Sequence, residues 1–306
     1  MKLNCLKINL RSKCNFHCIF CKLPQEDSPI SKESLLSRDE MVKLVDGFYH
    51  LGIEHVKITG PEPLLREDLF DFVHMISRTN KFKQISLTTN GYFLKDKAMA
   101  LKGAGVNRVS IFLDSLDEDR FKKITGVDGL SKVMDGICAA KEAELLPIRI
   151  NVVLVKGLNE DEIEDFAALT TLYPLDVRFI EYLPNSKYSS YFKDYYVSGH
   201  SAKNDVESVF GALMPDKSNP LEGPANYYRI KDAKGRVGFI NPVTEFFCFK
   251  CNSIMLTEEG KVFPCLNSNS SIDLKEYMDQ RNFKELSDKL KECIEIKPHI
   301  NKEAKT

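Results

Sequence analysis

Nothing in this sequence draws the chain toward an extended anionic surface or through a bilayer. Its 43 basic and 44 acidic residues leave a formal charge of −1. There is no net field to gather nucleic acid or anionic lipid, so any anionic partner must be held by local groups. No apolar run approaches the length of a membrane span. The opening MKLNCLKINL is too polar for a secretory signal. Internal repeats and low-complexity stretches are also missing. These absences make a cytoplasmic protein the expectation, with neither nucleic acid nor membrane as partner. What is present is ordinary for a globular protein, 43% apolar and 28% charged. At 306 residues the chain suits one large α/β domain, or a large domain with a smaller appendage.

The nine cysteines are unevenly spread. In a reducing compartment they read as metal ligands or buried thiols rather than disulfides. Cys14, Cys18 and Cys21 share the stretch CNFHCIFC, and Cys248, Cys251 and Cys265 form a second group. Cys5, Cys138 and Cys293 are scattered, and each reads as a small buried hydrophobe.

Six short apolar or β-branched runs alternate with helical patterns: 6–10, 55–60, 84–90, 108–114, 148–154 and 177–183. Ser37 opens a capping box with Glu40, and Asn159 is placed likewise before Glu162. Strand then helix, six times over, implies a parallel sheet with right-handed crossovers. Six units fall short of the eight that close a barrel, so the expected fold is α/β, a partial (β/α)6 TIM-like barrel. Functional residues of such sheets gather where strands end. Here those ends carry TGPEP, TTNG, LDS, VKGLN and EYLPN, and the first strand runs into the cysteine loop.

After Pro184 the pattern changes to a tyrosine-rich stretch with Tyr188, Tyr191, Tyr195 and Tyr196, then a helical segment near 201–213. The tyrosines suit either stacking on a substrate or packing against the barrel. A boundary in this region divides the chain into domains 1–190 and 191–306.

Three soft thiols in one loop suit zinc, copper(I) or an iron–sulfur cluster. Zinc takes four ligands, and His17 could serve as the fourth. Structural zinc ligands, however, usually come as two spaced pairs. A four-iron cluster held by three cysteines leaves one iron open to a chelating cofactor. The loop C-x3-C-x2-C, with Phe20 before its last cysteine, resembles that of the radical S-adenosylmethionine superfamily. The resemblance implies a [4Fe–4S] cluster on Cys14, Cys18 and Cys21. Its open iron chelates S-adenosylmethionine, which is cleaved reductively so that a 5′-deoxyadenosyl radical can take hydrogen from substrate. TGPEP resembles the superfamily's G-G-E-P stretch at Gly60 and Glu62, with Pro61 in place of the second glycine. Phe20, Gly60, Glu62, Asn90, Ser110 and Leu183 become the expected cofactor-binding residues, Asp114 and Ser115 being alternatives to Ser110. Without the cysteines, these Gly-, Pro- and Asn-rich turns would read as backbone requirements alone.

The second group, Cys248 and Cys251 followed by Cys265, again offers three thiolates. The reading is a second cluster with one open iron; a zinc shell completed by Cys293 or Cys5 is the alternative. The run GPANYYRIKDAKGRVGFINPVTEFFCFKCN with LTEEGKVFPCL is similar to the C-terminal region of the GTP 3′,8-cyclase family, and the similarity extends over nearly the whole chain. In that family the auxiliary open iron holds the guanine of the substrate. Carried over residue by residue, the family's basic cavity falls on Lys7, Lys57, Lys156 and Arg178, and the expected substrate-binding residues are these with Thr89. A family lysine becomes His55, and the family's R-x-R becomes Ser253 and Met255. Two lost phosphate contacts correspond to about 1.5–3 kcal/mol each. The family's Gly-Gly tail is replaced by Ala304-Lys305-Thr306.

The implied enzyme carries two [4Fe–4S] clusters and S-adenosylmethionine. It would be a lyase- or cyclase-type paralogue acting on a small, nucleotide-like substrate held at the auxiliary cluster. The alternatives are a genuine GTP 3′,8-cyclase of molybdenum cofactor biosynthesis and a peptide-modifying radical enzyme. No catalytic residue is assigned beyond the clusters and the cofactor site. A flavodoxin- or ferredoxin-type reductant is expected as partner, with a homodimer as one option for the assembly.

Overall fold

The computed structural model describes residues 3–10, 13–21, 35–183, 192–216, 223–245, 251–264, 270–278 and 283–303. The first half alternates β1 (Cys5–Asn9), α1 (Arg38–His50), β2 (His55–Thr59), α2 (Leu69–Ser77), β3 (Gln84–Thr89), α3 (Leu94–Ala104) and β4 (Arg108–Phe112). Two helices, α4 (Glu118–Thr125) and α5 (Leu130–Glu142), lead to β5 (Ile148–Leu154), α6 (Ile163–Leu172) and β6 (Leu175–Glu181). The expected six strands are present within two residues of their sequence limits. They pair parallel in chain order, so their C-terminal ends share one rim.

The remainder comprises α7 (Phe192–Tyr195), α8 (Gly199–Phe210), β7 (Met214–Pro215), β8 (Asn226–Arg229), β9 (Arg236–Ile240), β10 (Ser253–Thr257), β11 (Lys261–Phe263), β12 (Ile272–Asp273), α9 (Lys275–Met278) and α10 (Phe283–Glu303). Its strands extend both edges of the barrel sheet. β9 pairs parallel with β6, and β10 pairs parallel with β1. The sheet has twelve strands in the order β12-β11-β10-β1-β2-β3-β4-β5-β6-β9-β8-β7.

Local chemistry explains where the elements begin. Ser37 caps α1 as the sequence suggests: its hydroxyl accepts from Glu40 N, and Glu40 returns the bond to Ser37 N at 2.7 Å. The second expected capping box does not form. Asn159 instead reaches sideways, donating to Asp114 O at 2.8 Å and Val153 O at 2.9 Å. Glu162 accepts from Ser115 Oγ and Leu116 N. Satisfying buried backbone groups of two strand ends outweighs capping the helix that follows.

The strands alternate. Outward residues such as Leu6, Ile8, Val56, Ile58, Leu87 and Val109 are fully buried beneath helical residues including Leu44, Phe48, Phe72 and Val133. Parallel strands covered on both faces usually read as unbroken hydrophobic runs. Here the inward positions are Cys5 and Lys7, His55 and Lys57, Ser86 and Thr88, Arg108 and Ser110, Arg149 and Asn151, Asp176 and Arg178. A polar lumen inside a parallel barrel is a place for a ligand, because its buried groups are costly without one.

Glu181 joins the barrel to the rest of the chain. Its buried carboxylate accepts from Tyr196 Oη (2.9 Å), Gly199 N (2.9 Å), Val243 N (2.8 Å), Thr244 N (3.1 Å) and Thr244 Oγ1 (2.6 Å). Burial alone would raise its pKa, but these donors, the Thr244 hydroxyl foremost, hold it below the usual carboxylate range. Glu181→Gln accepts fewer of these bonds and is expected to cost roughly 2–4 kcal/mol in chemical denaturation. A depressed folded pKa stabilises above the unfolded value and ceases to do so as pH falls through the folded one. The difference between wild type and variant should therefore shrink in acid, and a constant difference across that range would contradict the assignment.

Candidate active site

The cysteine loop leaves β1 at the rim and is pinned from both sides. His17 N donates to Thr125 O at 2.8 Å and Ile19 N to Ile124 O at 3.0 Å, tying the loop to the end of α4. Phe16 is buried, edge-on to Tyr92 and Phe121 at 5.9 and 5.7 Å between ring centroids. The intervening chain turns so that Cys21 N donates to Cys18 O at 3.0 Å. Cys14 and Cys21 are exposed and Cys18 is half-buried. Two donors address Cys14 Sγ: Phe16 N at 3.5 Å and Asn90 Nδ2 at 3.9 Å. Burial raises the free Cys14 and Cys18 thiols above their ordinary range. Among the described residues no three His, Cys, Asp or Glu side chains converge where a single metal ion would sit. Three thiols spaced around one turn suit the separated corners of a cluster, and sulfur-directed N–H groups are the means by which a protein tunes one.

The neighbouring strand ends are interlocked with this loop. Gly60 has φ +148°, and a Cβ there would stand 2.1 Å from Leu10 O, so only glycine lets the exit of β2 lie against the exit of β1. Glu62 accepts from Leu64 N (2.9 Å), Thr89 Oγ1 (2.7 Å) and Asn90 N (2.7 Å). Burial nonetheless keeps its pKa raised. Asn90 Nδ2 also donates to Asn15 Oδ1 at 2.8 Å, so one side chain braces the first strand's loop from the third. Asp114, buried at the end of β4, accepts from Val153 N at 2.8 Å, and burial lifts its pKa to about 7.

Below the rim lies a concentration of positive charge. Arg178 on β6 donates to Asn151 Oδ1 through Nε at 2.8 Å and Nη2 at 2.5 Å, and to Ser110 Oγ at 3.4 Å; all of these acceptors are neutral. Lys57 and Lys7 are register partners on adjacent strands, and among the described residues neither has an ion pair. Burial, followed by the charges of Arg178 and Lys7, pushes the Lys57 pKa well below the usual lysine value. Deeper in the lumen, Asp176 does have counter-ions, Arg236 at 2.6 Å and Arg149 at 3.5 Å.

Residues 8–170 match the Radical SAM superfamily, and residues 175–303 match Molybdenum Cofactor Synthesis C. GTP 3′,8-cyclase from Thermodesulfovibrio yellowstonii is 38% identical over 296 residues, covering 96% of this chain and 91% of that protein. The same enzyme from Peptoclostridium acidaminophilum is 41% identical over 275 residues, covering 89% and 83%. The chain belongs to the GTP 3′,8-cyclase family of radical S-adenosylmethionine enzymes. Solved structures agree in fold. SuiB of Streptococcus suis bound to S-adenosylmethionine superposes with TM-score 0.67 at 14% identity, covering 92% of this chain and 64% of that one. The structure described as anSMEcpe with bound AdoMet gives 0.59 at 16% identity, covering 96% and 83%.

Family membership brings S-adenosylmethionine and two [4Fe–4S] clusters as cofactors. The thiols of Cys14, Cys18 and Cys21, with nitrogen donors already directed at Cys14, fit the first. Of the second set, Cys251 is half-buried at the far end of the lumen, while Cys248 and Cys265 lie outside the described residues. Phe20 and Leu183 are half-buried near the loop, Phe20 with its ring 6.4 Å from that of Tyr182. Thr89 and Asn90 spend their polar groups on Glu62, Gly91, Tyr92 and Asn15, so they hold the rim in shape. Lys156 is exposed beyond β5, its N–H bound to Tyr195 O at 2.9 Å. Tyr195 is 46% exposed, while Tyr188 and Tyr191 fall outside the described residues. Asn151 was missed by sequence reasoning, although its alternation with Arg149 on β5 signalled an inward polar position.

Gly60→Ala is expected to displace Leu10 and the loop behind it. Anaerobically reconstituted variant should then lose most iron at the first site and its S-adenosylmethionine binding. Gly103→Ala, on α3 with open space around the added methyl, should leave both unchanged and stabilise by up to about 1 kcal/mol. Equal iron content in the two variants would overturn this account of the rim.

Proposed function

We propose that this enzyme acts on a purine nucleotide carrying fewer phosphates than GTP, held with its phosphate against Lys7, Lys57 and Arg178. One observation carries this reading. Lys7 is opposed on β2 by Lys57 but on β10 by Met255, and Cys5 is opposed there by Ser253. The family's two arginines correspond to these neutral β10 positions. The wall around Lys7 therefore offers charge on β2 and none at these positions of β10. When bound, the first cluster and S-adenosylmethionine supply one-electron chemistry that ends in hydrogen-atom abstraction from the substrate. The chain's own residues do the positioning. Arg178 is fixed by Asn151 and Ser110, so it presents an oriented guanidinium rather than a mobile one. The Phe20–Tyr182 pair helps exclude water beside the loop. A one-electron donor of the flavodoxin or ferredoxin type completes the system.

A second reading, a genuine GTP 3′,8-cyclase, is favoured by the near full-length identity with those enzymes and by the same lysines and arginine. A panel of guanosine and adenosine with zero to three phosphates separates the two. The reduced holoenzyme would be given each compound with S-adenosylmethionine, and 5′-deoxyadenosine counted. A mono- or diphosphate should stimulate best. Triphosphate should be at least about tenfold weaker, the loss of one charged hydrogen bond being about 1.5–3 kcal/mol. GTP as best substrate would establish the second reading instead, and no stimulation by any nucleotide would end both.

Anion binding should also move the Lys57 pKa back toward the usual lysine value. Because the free lysine has a depressed pKa, the favoured nucleotide should bind with proton uptake and bind more weakly as pH rises. Calorimetry in buffers of different ionisation enthalpy would show this, and Lys57→Met should abolish the uptake.

A further inference from the structure

A row of three residues crosses the inner face of the sheet beside the cations of the lumen. Arg178 on β6 is the register partner of Gly238 on β9, and Gly238 is that of Tyr227 on β8. The middle member has no side chain, so Tyr227 lies across it toward Arg178. A Cβ on Gly238 would stand 3.0 Å from Tyr227 Cε1 and 3.3 Å from Arg178 Cγ. A larger residue there would lift the ring or push the arginine aside. The glycine is the saddle over which a residue of an added strand reaches a barrel cation.

The ring is held by two further cations. The guanidinium carbons of Arg236 and Arg149 lie 4.2 and 5.7 Å from its centroid. Both arginines pair with Asp176, so the phenol packs against side chains that are themselves fixed. Tyr227 is 2% exposed, and its hydroxyl is without a hydrogen-bond partner. Burial lowers the Arg178 pKa, and the Tyr227 oxygen is the next influence, opposing that shift. A guanidinium has only N–H donors, however, and cannot accept the phenolic proton. Arg178 acts in turn on Lys57, so phenol, guanidinium and lysine border one space. A buried tyrosine ordinarily finds an acceptor for its O–H. Here the ring is fixed beside a cation and no side chain takes that proton.

We propose that Tyr227 is a further substrate-binding residue, whose O–H donates to a phosphate oxygen of the nucleotide held by Arg178 and Lys57. This rests on the nucleotide reading above. A neutral donor strengthens the hold on an anion without adding repulsion to Lys57, and it costs less to bury than another charge. It comes from the edge of the sheet opposite β10, where Ser253 and Met255 contribute no charge.

Calorimetry on the anaerobically reconstituted, unreduced holoenzyme tests the contact in wild type, Tyr227→Phe and Lys57→Met. The probes are guanosine, its mono- and diphosphate, and inorganic pyrophosphate. Tyr227→Phe should bind the phosphate-bearing probes at least about tenfold more weakly, as expected for a lost hydrogen bond to a charged acceptor. Guanosine affinity should not change. Thermal unfolding of the substrate-free variant should show equal or greater stability, since only an unpaired hydroxyl is removed. Wild-type affinity of Tyr227→Phe for every phosphate-bearing probe overturns the proposal; a loss at Lys57→Met would then leave the nucleotide reading standing. An equal loss for guanosine, or a marked loss of stability, assigns the hydroxyl to base or fold and also overturns it. If pyrophosphate alone binds and Tyr227→Phe weakens it, the phosphate contact stands and the nucleotide reading falls. No binding of any phosphate-bearing probe to wild type ends both.

Discussion

One strand bears the whole arrangement. β1 pairs parallel with β2 on one side and with β10, from the far end of the chain, on the other. Its side chains alternate strictly, so Leu6 and Ile8 face the helices while Cys5 and Lys7 face the lumen. The strand then runs straight into the loop carrying Cys14. A five-residue segment thus connects the cysteine loop at the rim with a lysine inside the lumen, and places that lysine between β2 and β10. A slip of one residue would turn the cysteine and lysine into the hydrophobic layer and the two aliphatics into the cavity. Close pairing on both sides makes such a slip costly.

The lumen is a compromise between stability and binding. Buried charges without partners work against folding. The chain limits the cost by pairing Asp176 with Arg149 and Arg236, and by giving Arg178 neutral hydrogen-bond acceptors. Lys57 is left with its charge disfavoured. This residual stress has a direction, because the same groups become favourable once an anion enters. The apolar layer between strands and helices supplies the stability that permits such an interior, and Glu181 ties the added edge strand and α8 to the barrel.

Much of this was legible in the residues. Short apolar or β-branched runs located all six barrel strands, and the spacing within the CNFHCIFC loop pointed to metal chemistry. Ser37 with Glu40 read correctly as a helix start. Asn159 with Glu162 did not, because the same residue types also satisfy strand-end backbone groups, and only the position of β4 beside β5 decides which use prevails. The bracing bonds of Thr89 and Asn90 were not legible for a related reason: a polar side chain at a strand end can face a ligand or brace a neighbouring loop, and sequence carries no information about which is nearer. Glu181 lay within a quoted motif, yet its five donors come from segments up to 63 residues away.

Pattern along the chain indicated the class of fold and the thiol sets, since alternation and ligand spacing are local properties, and the resemblance of the motifs at the strand ends and around the cysteines pointed to the family. Tertiary structure decided which cations share one cavity and which polar groups are consumed in holding the rim. Those are matters of register between strands distant in sequence, set by the packing of the sheet as a whole.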